Sequence, residues 1–190
     1  MSQRVIIAIS GASGVQYGLK LLTVLTELGK EVDLVISKGA HKVMGFELDF
    51  DPEPIINRAT QIYEINDIGA KIASGTHPSE GMIIVPCSTK TLGAIANGFS
   101  QNLIHRAAEC MLKEGRPLIL VPRETPLSQI HLQNLLTVKA AGATILPASP
   151  GFYYKPKSVE DLIDFVVGKI LNVLKIPHEL FKPWDPEKAS

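Results

Sequence analysis

The sequence predicts an α/β fold, a three-layer, doubly wound parallel sheet in a single domain with a C-terminal extension. Three observations carry that prediction. Apolar runs rich in Val, Ile and Leu recur along the whole chain. Each is followed by a stretch with helical periodicity, and strand–helix alternation places helices on both faces of a parallel sheet. The runs are unbroken rather than alternating, which marks strands buried on both faces.

Taken in order, the strand candidates are Val5–Ser10, Val32–Ser37, Met82–Pro86, Leu118–Pro122 and Thr144–Pro147. The first helix is predicted over Val15–Leu28. Gly18, Leu21, Leu22, Leu25 and Leu28 recur at helical spacing, and Gly29 is a natural stop. A helix-like segment carrying His41 and Glu47 follows the second strand. The stretch from Pro52 to Ile68 is irregular, with Pro52 and Pro54 marking a turn. Further helices are predicted at Thr89–Asn97, Leu103–Lys113, Ser128–Ala141 and Val159–Leu174. Ser158 and Asp161 have capping-box spacing, with Asp in place of the usual Glu. Residues 1–175 are read as the domain. Residues 176–190, with three prolines and the single Trp184, are read as a tail that covers a neighbouring surface or subunit.

Bulk properties exclude several classes. The chain has 190 residues, 45% hydrophobic and 20% charged, enough for one real core. Basic and acidic residues both number 19, so nothing points to a nucleic-acid or membrane-surface partner. Near-neutrality favours self-association. The two cysteines, Cys87 and Cys110, form no disulfide framework or zinc pattern, so a reduced, cytoplasmic setting is expected. No signal segment is recognisable, and no apolar run nears the roughly 18 residues of a membrane span. The five histidines lack ligand spacing, so no metal is expected.

In doubly wound sheets, ligands bind beyond the carboxyl ends of the strands. The residues there are therefore the informative ones. The first strand ends in Gly11-Ala12-Ser13-Gly14, a tight turn leading into a helix N-terminus. Such a turn is built to receive an anion, and a phosphate is the first expectation; the bland reading is an empty βα turn. Ser37-Lys38 follows the second strand, Pro86-Cys87-Ser88-Thr89-Lys90-Thr91 the third and Pro122-Arg123-Glu124-Thr125-Pro126 the fourth. Pro147-Ala148-Ser149-Pro150-Gly151-Phe152-Tyr153-Tyr154 follows the last. Hydroxyls, cations, carboxylates and rings together suit a flat, phosphorylated ligand, and Arg123 offers a fork to phosphate or carbonyl.

Arg106 and Lys113, seven apart, project from similar faces of one helix and form a second candidate anion site. The bland alternative is a solvated network through Glu109. Lys169 falls on or beside the apolar face of its helix, where a lysine snorkels outward or meets an anion. Cys87 follows a strand but has no His partner in sequence, and reads as a small buried thiol. Cys110 reads as core and His131 as a helix or subunit contact.

Several motifs run in order: Gly11-Ala12-Ser13-Gly14, Ser37-Lys38, Pro86-Cys87-Ser88-x-Lys90-Thr91, Asn102-Leu103-x-x-Arg106-Ala107-Ala108, Leu112-Lys113-Glu114, Pro122-Arg123-Glu124-x-Pro126, Ile130-His131-Leu132 and Pro150-Gly151-Phe152-Tyr153. In this combination the chain resembles the UbiX-type flavin prenyltransferases, over nearly its whole length. The resemblance implies a Rossmann-like fold and a homo-dodecamer with FMN between subunits. It implies metal-free transfer of dimethylallyl from dimethylallyl phosphate to N5 and C6 of reduced FMN. The prenylated FMN would serve UbiD-type decarboxylases. By motif match, FMN would contact Gly11, Ala12, Ser13, Ser37, Ser88, Thr89, Lys90, Thr91 and Arg123. The substrate phosphate would meet Arg106, Lys113, Tyr153 and Lys169, while Glu47 and Glu124 would line the reaction site.

Elementary chemistry agrees with those roles. Without a metal, phosphate leaving an allylic ester needs other positive charge, which Arg106, Lys113 and Lys169 supply. Tyr153 can donate to the leaving oxygen, and ring faces stabilise allylic cation character. Glu124 is the candidate acid–base group when a proton leaves C6, and Ser13 is expected near N5. Three positions depart from relatives: Lys169 where some have Arg, Ile68 where some have Trp, and Gln133 where Glu is frequent. A flavin-dependent cysteine decarboxylase is the first alternative, but its Pro-x-Met-Asn-x-x-Met-Trp motif is absent. The second is a non-catalytic FMN carrier or redox protein, in which the phosphate-binding cations would be superfluous.

Overall fold

The computed structural model describes residues 4–182. They fall into two compact units, divided between Ala148 and Ser149. The division falls earlier than the boundary at 175 that the sequence suggests. Trp184 lies outside the described residues.

The first unit is built on a six-stranded parallel sheet of order β3-β2-β1-β4-β5-β6. The strands are β1 (Arg4–Ile9), β2 (Glu31–Ile36), β3 (Gln61–Tyr63), β4 (Met82–Cys87), β5 (Leu118–Pro122) and β6 (Thr144–Ile145). The helices are α1 (Val15–Glu27), α2 (Lys38–Glu47), α3 (Glu53–Ile56), α4 (Thr89–Ala96), α5 (Leu103–Lys113) and α6 (Gln129–Ala140). A 3-10 turn spans Lys71–Ala73. Val5 to Ile9 of β1 are wholly buried, as central parallel strands require. Each fully buried Ile or Val contributes about 1.5–3 kcal/mol. The edge strand β3 lies inside the irregular stretch, where three residues carry no readable period.

Chain order reverses between β1 and β4, which makes their carboxyl ends the switch point. One residue stitches that point together. Ser10, buried, donates from Oγ to the Pro86 carbonyl at 2.8 Å and accepts from the Ser88 N–H at 2.7 Å. The loop after β4 is thereby held in register with the turn after β1. Helix α1 presses closely on the sheet: a Cβ at Gly18 would stand 2.6 Å from the Val85 carbonyl oxygen.

Near the amino ends of β1 and β2 lies a separate charged cluster. Asp33 is fully buried and accepts from Arg4 at 2.7 Å and from His77 at 2.7 Å. Arg4 also reaches Glu31 at 2.5 Å. A buried carboxylate persists only when paired in this way.

In the second unit, α7 (Val159–Val173) starts with the predicted capping box: Ser158 accepts from the Asp161 N–H, and the Asp161 carboxylate accepts from the Ser158 N–H. Phe165 stacks on Tyr154 with centroids 5.2 Å apart and meets Phe181 at 5.0 Å. Gly168 is required there, because a Cβ would come within 2.4 Å of the Phe181 ring.

Candidate active site

Two cavities open at the carboxyl ends of the strands. The first, about 550 Å³, is lined by Gly11, Ser37, Lys38, Gly39, Ile65, Asn66, Ser88, Thr89, Lys90, Thr91, Gln101, Asn102 and His105. Three helices begin at it. Ser37 caps α2 by accepting from Ala40 N at 3.0 Å, Ser88 caps α4 by accepting from Thr91 N at 3.2 Å, and Asn102 caps α5 by accepting from His105 N at 3.1 Å. Each start carries partial positive charge. Lys38 and Lys90 add two full charges, and no carboxylate belongs to the lining. The backbones of Gly11 and Gly39 lie close: a Cβ on Gly11 would stand 3.0 Å from Gly39 Cα and one on Gly39 3.3 Å from Gly11 Cα, so a side chain at either position would push the two turns apart. The donor set therefore fits a phosphate.

His105 is buried beside this cavity. Its proton affinity is lowered, first by burial and then by Lys90. The Phe99 carbonyl opposes this, although no hydrogen bond of normal geometry closes at Nδ1. The imidazole is thus a neutral wall at physiological pH.

The second cavity, about 350 Å³, is lined by Gly11, Ala12, Ser13, Val43, Phe46, Glu47, Ser88, Thr89, Arg123 and Glu124. It shares Gly11, Ser88 and Thr89 with the first. Arg123 donates from Nε to the Ser13 carbonyl at 3.3 Å, tying the end of β5 to the turn after β1. The Glu124 carboxylate accepts from the next backbone N–H, that of Thr125, at 3.0 Å.

At the start of α1 the structure shows an internal partner. Gly14, in the left-handed region with φ 96°, and Val15 donate their N–H groups to Glu47 Oε2 at 2.8 and 3.3 Å. The helix start is occupied by the chain's own carboxylate. Gly11, Ala12 and Ser13 remain cavity wall, and the open helix starts are those of α2, α4 and α5.

Two cavities thus gather Ser13, Glu47, Glu124, Gly11, Ala12, Ser37, Ser88, Thr89, Lys90, Thr91 and Arg123. Neither is lined by Arg106 or Lys113. These lie on α5, where Arg106 pairs with Glu109 at 3.1 Å and Lys113 approaches Glu114 at 3.6 Å. Glu109 also accepts from Ser100 Oγ at 2.7 Å, and this bond, ahead of Arg106, holds its carboxyl below the usual range. Of the expected surface network, the Arg106–Glu109 arm is present as an ion pair.

Tyr153 and Lys169 belong to the second unit. Tyr153 is half exposed and meets Tyr154 and Phe165 edge-on, at 5.9 and 5.8 Å. Lys169 is exposed, between buried Gly168 and Ile170, at the border of the apolar face, which is the outward of the two placements that its spacing allows. Seven residues fall about 20° short of two turns, and Leu162, its reference, is itself half-buried. Cys87 is buried, and burial pushes its thiol up to about 12, which removes it as a nucleophile. His131 completes a capping box on α6 with Ser128. Sequence reasoning missed Val43 and Phe46 as cavity residues. It also missed Gln101, Asn102 and His105, whose motif was read only as the approach to Arg106. The signal available was Asn102 as a helix cap beside Ser88 and Ser37.

Among the described residues, no group of His, Cys, Asp and Glu is placed to hold a metal ion, and no helix is long and apolar enough to cross a membrane.

Comparison with known proteins gives a consistent result. The flavoprotein family model matches residues 1–171. The flavin prenyltransferase UbiX of Aquifex aeolicus is 48% identical over 96% of this chain and 98% of its own length. A crystal structure of AnUbiX (PadA1) in complex with FMN and dimethylallyl pyrophosphate superposes with a TM-score of 0.94 at 45% identity, covering 97% of this chain and 98% of that one. A dodecameric FMN-dependent UbiX-like decarboxylase from Escherichia coli O157:H7 gives 0.92 at 38% identity, covering 96% and 99%. With helix starts and lysines around one cavity, carboxylates and Arg123 around the next, and this likeness along nearly all its length, the chain belongs to the flavoprotein family and, within it, to the UbiX-type flavin prenyltransferases.

Proposed function

We propose that this protein transfers a dimethylallyl group from dimethylallyl phosphate to N5 and C6 of reduced FMN, without a metal, for use by a UbiD-type decarboxylase. One observation carries the reading: a cavity with three helix starts, two lysines and no carboxylate adjoins one holding Ser13, Glu47, Arg123 and Glu124. That charge gradient orients a phosphorylated flavin, phosphate toward Lys38 and Lys90, ring toward Ser13 and Arg123. Reduced FMN, when bound, supplies the nucleophilic ring atoms.

The chain's own residues do the rest. Ser37, Ser88, Thr89, Lys90 and Thr91 bind the flavin phosphate and its neighbouring hydroxyls. Gly11, Ala12 and Ser13 let the ring approach the backbone, with the Ser13 hydroxyl at the reacting edge. Arg123, already fixed to the Ser13 carbonyl, offers its remaining N–H groups to the ring carbonyls. Glu124 takes up the proton released at C6. Glu47 has its carboxylate fixed by two backbone N–H groups, so it lines the reaction site as a rigid charge. Arg106, Lys113, Tyr153 and Lys169 stabilise the departing phosphate. Arg106 and Lys113 stand on the outer face of α5, which suits a homo-oligomer, dodecameric as in the E. coli relative, whose copies complete each other's sites. The working compartment is the cytoplasm.

The test is direct. Purified protein is incubated anaerobically with reduced FMN and dimethylallyl phosphate in the presence of a chelator, and the flavin is analysed by mass. A flavin gaining one C5 unit is expected, and its absence overturns the reading. Glu124→Gln should bind FMN normally yet lose most prenyl-flavin production; full production would remove its acid–base role.

A further inference from the structure

The second cavity has an apolar wall that no assigned role uses. Phe46 is 90% exposed, an unusual state for a phenyl ring on a helix, and it lines the same cavity as Ser13, Glu47, Arg123 and Glu124. Val43 lies three residues earlier on α2 and lines that cavity too, so the pair forms one continuous apolar strip. The other side chains of the cavity beyond Ala12 are hydroxyls and charges. Glu47, next in sequence, is anchored at the start of α1, which ties down the last turn of α2 from which Phe46 projects. An exposed ring beside fixed charges at a reaction centre is matched by a reactant that is itself part hydrocarbon.

We propose that the Val43–Phe46 strip of α2 receives the hydrocarbon chain of the allylic donor, and that Phe46 is the residue that sets which chain length is used. This rests on the prenyl-transfer reading above. The strip gives the chain an apolar surface, and the ring face of Phe46 stabilises positive charge spreading over the allyl carbons as the phosphate departs. No bond forms to Phe46; it is a specificity-determining residue.

The experiment compares wild type with Phe46→Ala and Phe46→Leu. Three quantities are measured: kcat/KM for the five-carbon and a ten-carbon allylic phosphate, FMN affinity by fluorescence quenching, and assembly mass. Removing the ring should lower kcat/KM for the five-carbon donor about tenfold. The preference for five over ten carbons should fall by a similar factor, because space opens where the longer chain would run. Phe46→Leu should keep more of the five-carbon rate than Phe46→Ala, since it keeps apolar surface but loses the ring face. FMN affinity and assembly mass should stay as in wild type. Unchanged donor kinetics in Phe46→Ala overturn the proposal. So does a parallel loss of FMN affinity, which would make Phe46 a flavin contact, or a change in assembly mass, which would make it a contact between copies. A wild-type protein that gives no C5 adduct overturns this proposal together with the reading beneath it. A wild-type adduct with indifferent Phe46 variants overturns this proposal alone.

Discussion

Replacing Glu47 separates its structural task from its chemical one. Its carboxylate accepts from Gly14 N at 2.8 Å and Val15 N at 3.3 Å, across the start of α1. Glu47→Ala removes a cap, costing about 0.5–2 kcal/mol, and a charge at the positive end of the helix dipole, costing about 0.3–1 kcal/mol. Together these come to about 2 kcal/mol. For a chain of this size each kcal/mol moves Tm by about 2–4 °C, so Tm should fall by about 4–8 °C. Glu47→Gln keeps an acceptor oxygen and loses only the charge, so its fall should stay near 1–4 °C, by the ~0.3–1 kcal/mol of the dipole term. The assay is thermal unfolding by circular dichroism, without flavin and at one fixed protein concentration. Formate or phosphate should raise the Tm of Glu47→Ala more than that of wild type, because the freed N–H pair becomes an anion site. An alanine variant as stable as wild type, or one that anions do not favour, would refute the assignment of this carboxylate to the helix start.

Three further outcomes are expected from the packing and burial of single residues. Gly18→Ala should cost about 1–3 kcal/mol, since its Cβ would meet the Val85 carbonyl at 2.6 Å and Ile9 side-chain carbons at 2.9 Å, whereas Gly45→Ala on α2, with nothing within 4 Å, should gain up to ~1 kcal/mol; denaturant unfolding of both checks this. Cys87 should resist iodoacetamide at pH 8 in the native protein and react once unfolded, because its thiol is buried and pushed to about 12; native labelling would contradict the burial. His105 has a lowered folded-state pKa, so the unfolded chain binds its proton more readily. Its contribution is therefore fully present above the ordinary value of 6.5 and is lost as pH falls below it; His105→Gln should flatten the decline in Tm between about pH 7 and 5, and an unchanged slope would remove His105 as its cause.

The layered fold was legible because central strands announce themselves by composition. Val5–Ile9, Met82–Val85 and Leu118–Val121 are apolar on both faces, and their neighbours carry helical stripes. The edge strand β3 was not legible, since Gln61–Tyr63 offers three partly exposed residues and no burial pattern. The short helix α3 at Glu53–Ile56 was likewise hidden among prolines. The strand-end residues of both cavities were visible by position alone. Phe46 was invisible for a physical reason: an apolar residue on a helix reads as core, and only the fold shows that this one faces outward. Lys169 was legible only as lying on or beside the apolar face, because helical spacing specifies angle and not depth.

The first turn shows why a motif does not by itself locate a ligand. A strand, a tight Gly/Ser turn and a helix start make an anion site wherever they occur, and here all three occur after β1. Yet the same physics that would draw a phosphate draws any carboxylate within reach, and the end of α2 brings Glu47 to within 2.8 Å. Once that helix start is filled, a second anion beside it would meet a negative charge. The starts of α2, α4 and α5 face the neighbouring cavity, capped by the neutral side chains of Ser37, Ser88 and Asn102 and flanked by Lys38 and Lys90. On the proposed reading a phosphate would be steered away from the turn and into that cavity. The turn is left to do what small residues do best, which is to let a flat ring lie against backbone. Glu47 therefore contributes to orientation before any chemistry. It stabilises α1 and, in the proposed reading, would repel the phosphate end of the flavin, leaving the reacting end to the cavity that holds Ser13, Arg123 and Glu124.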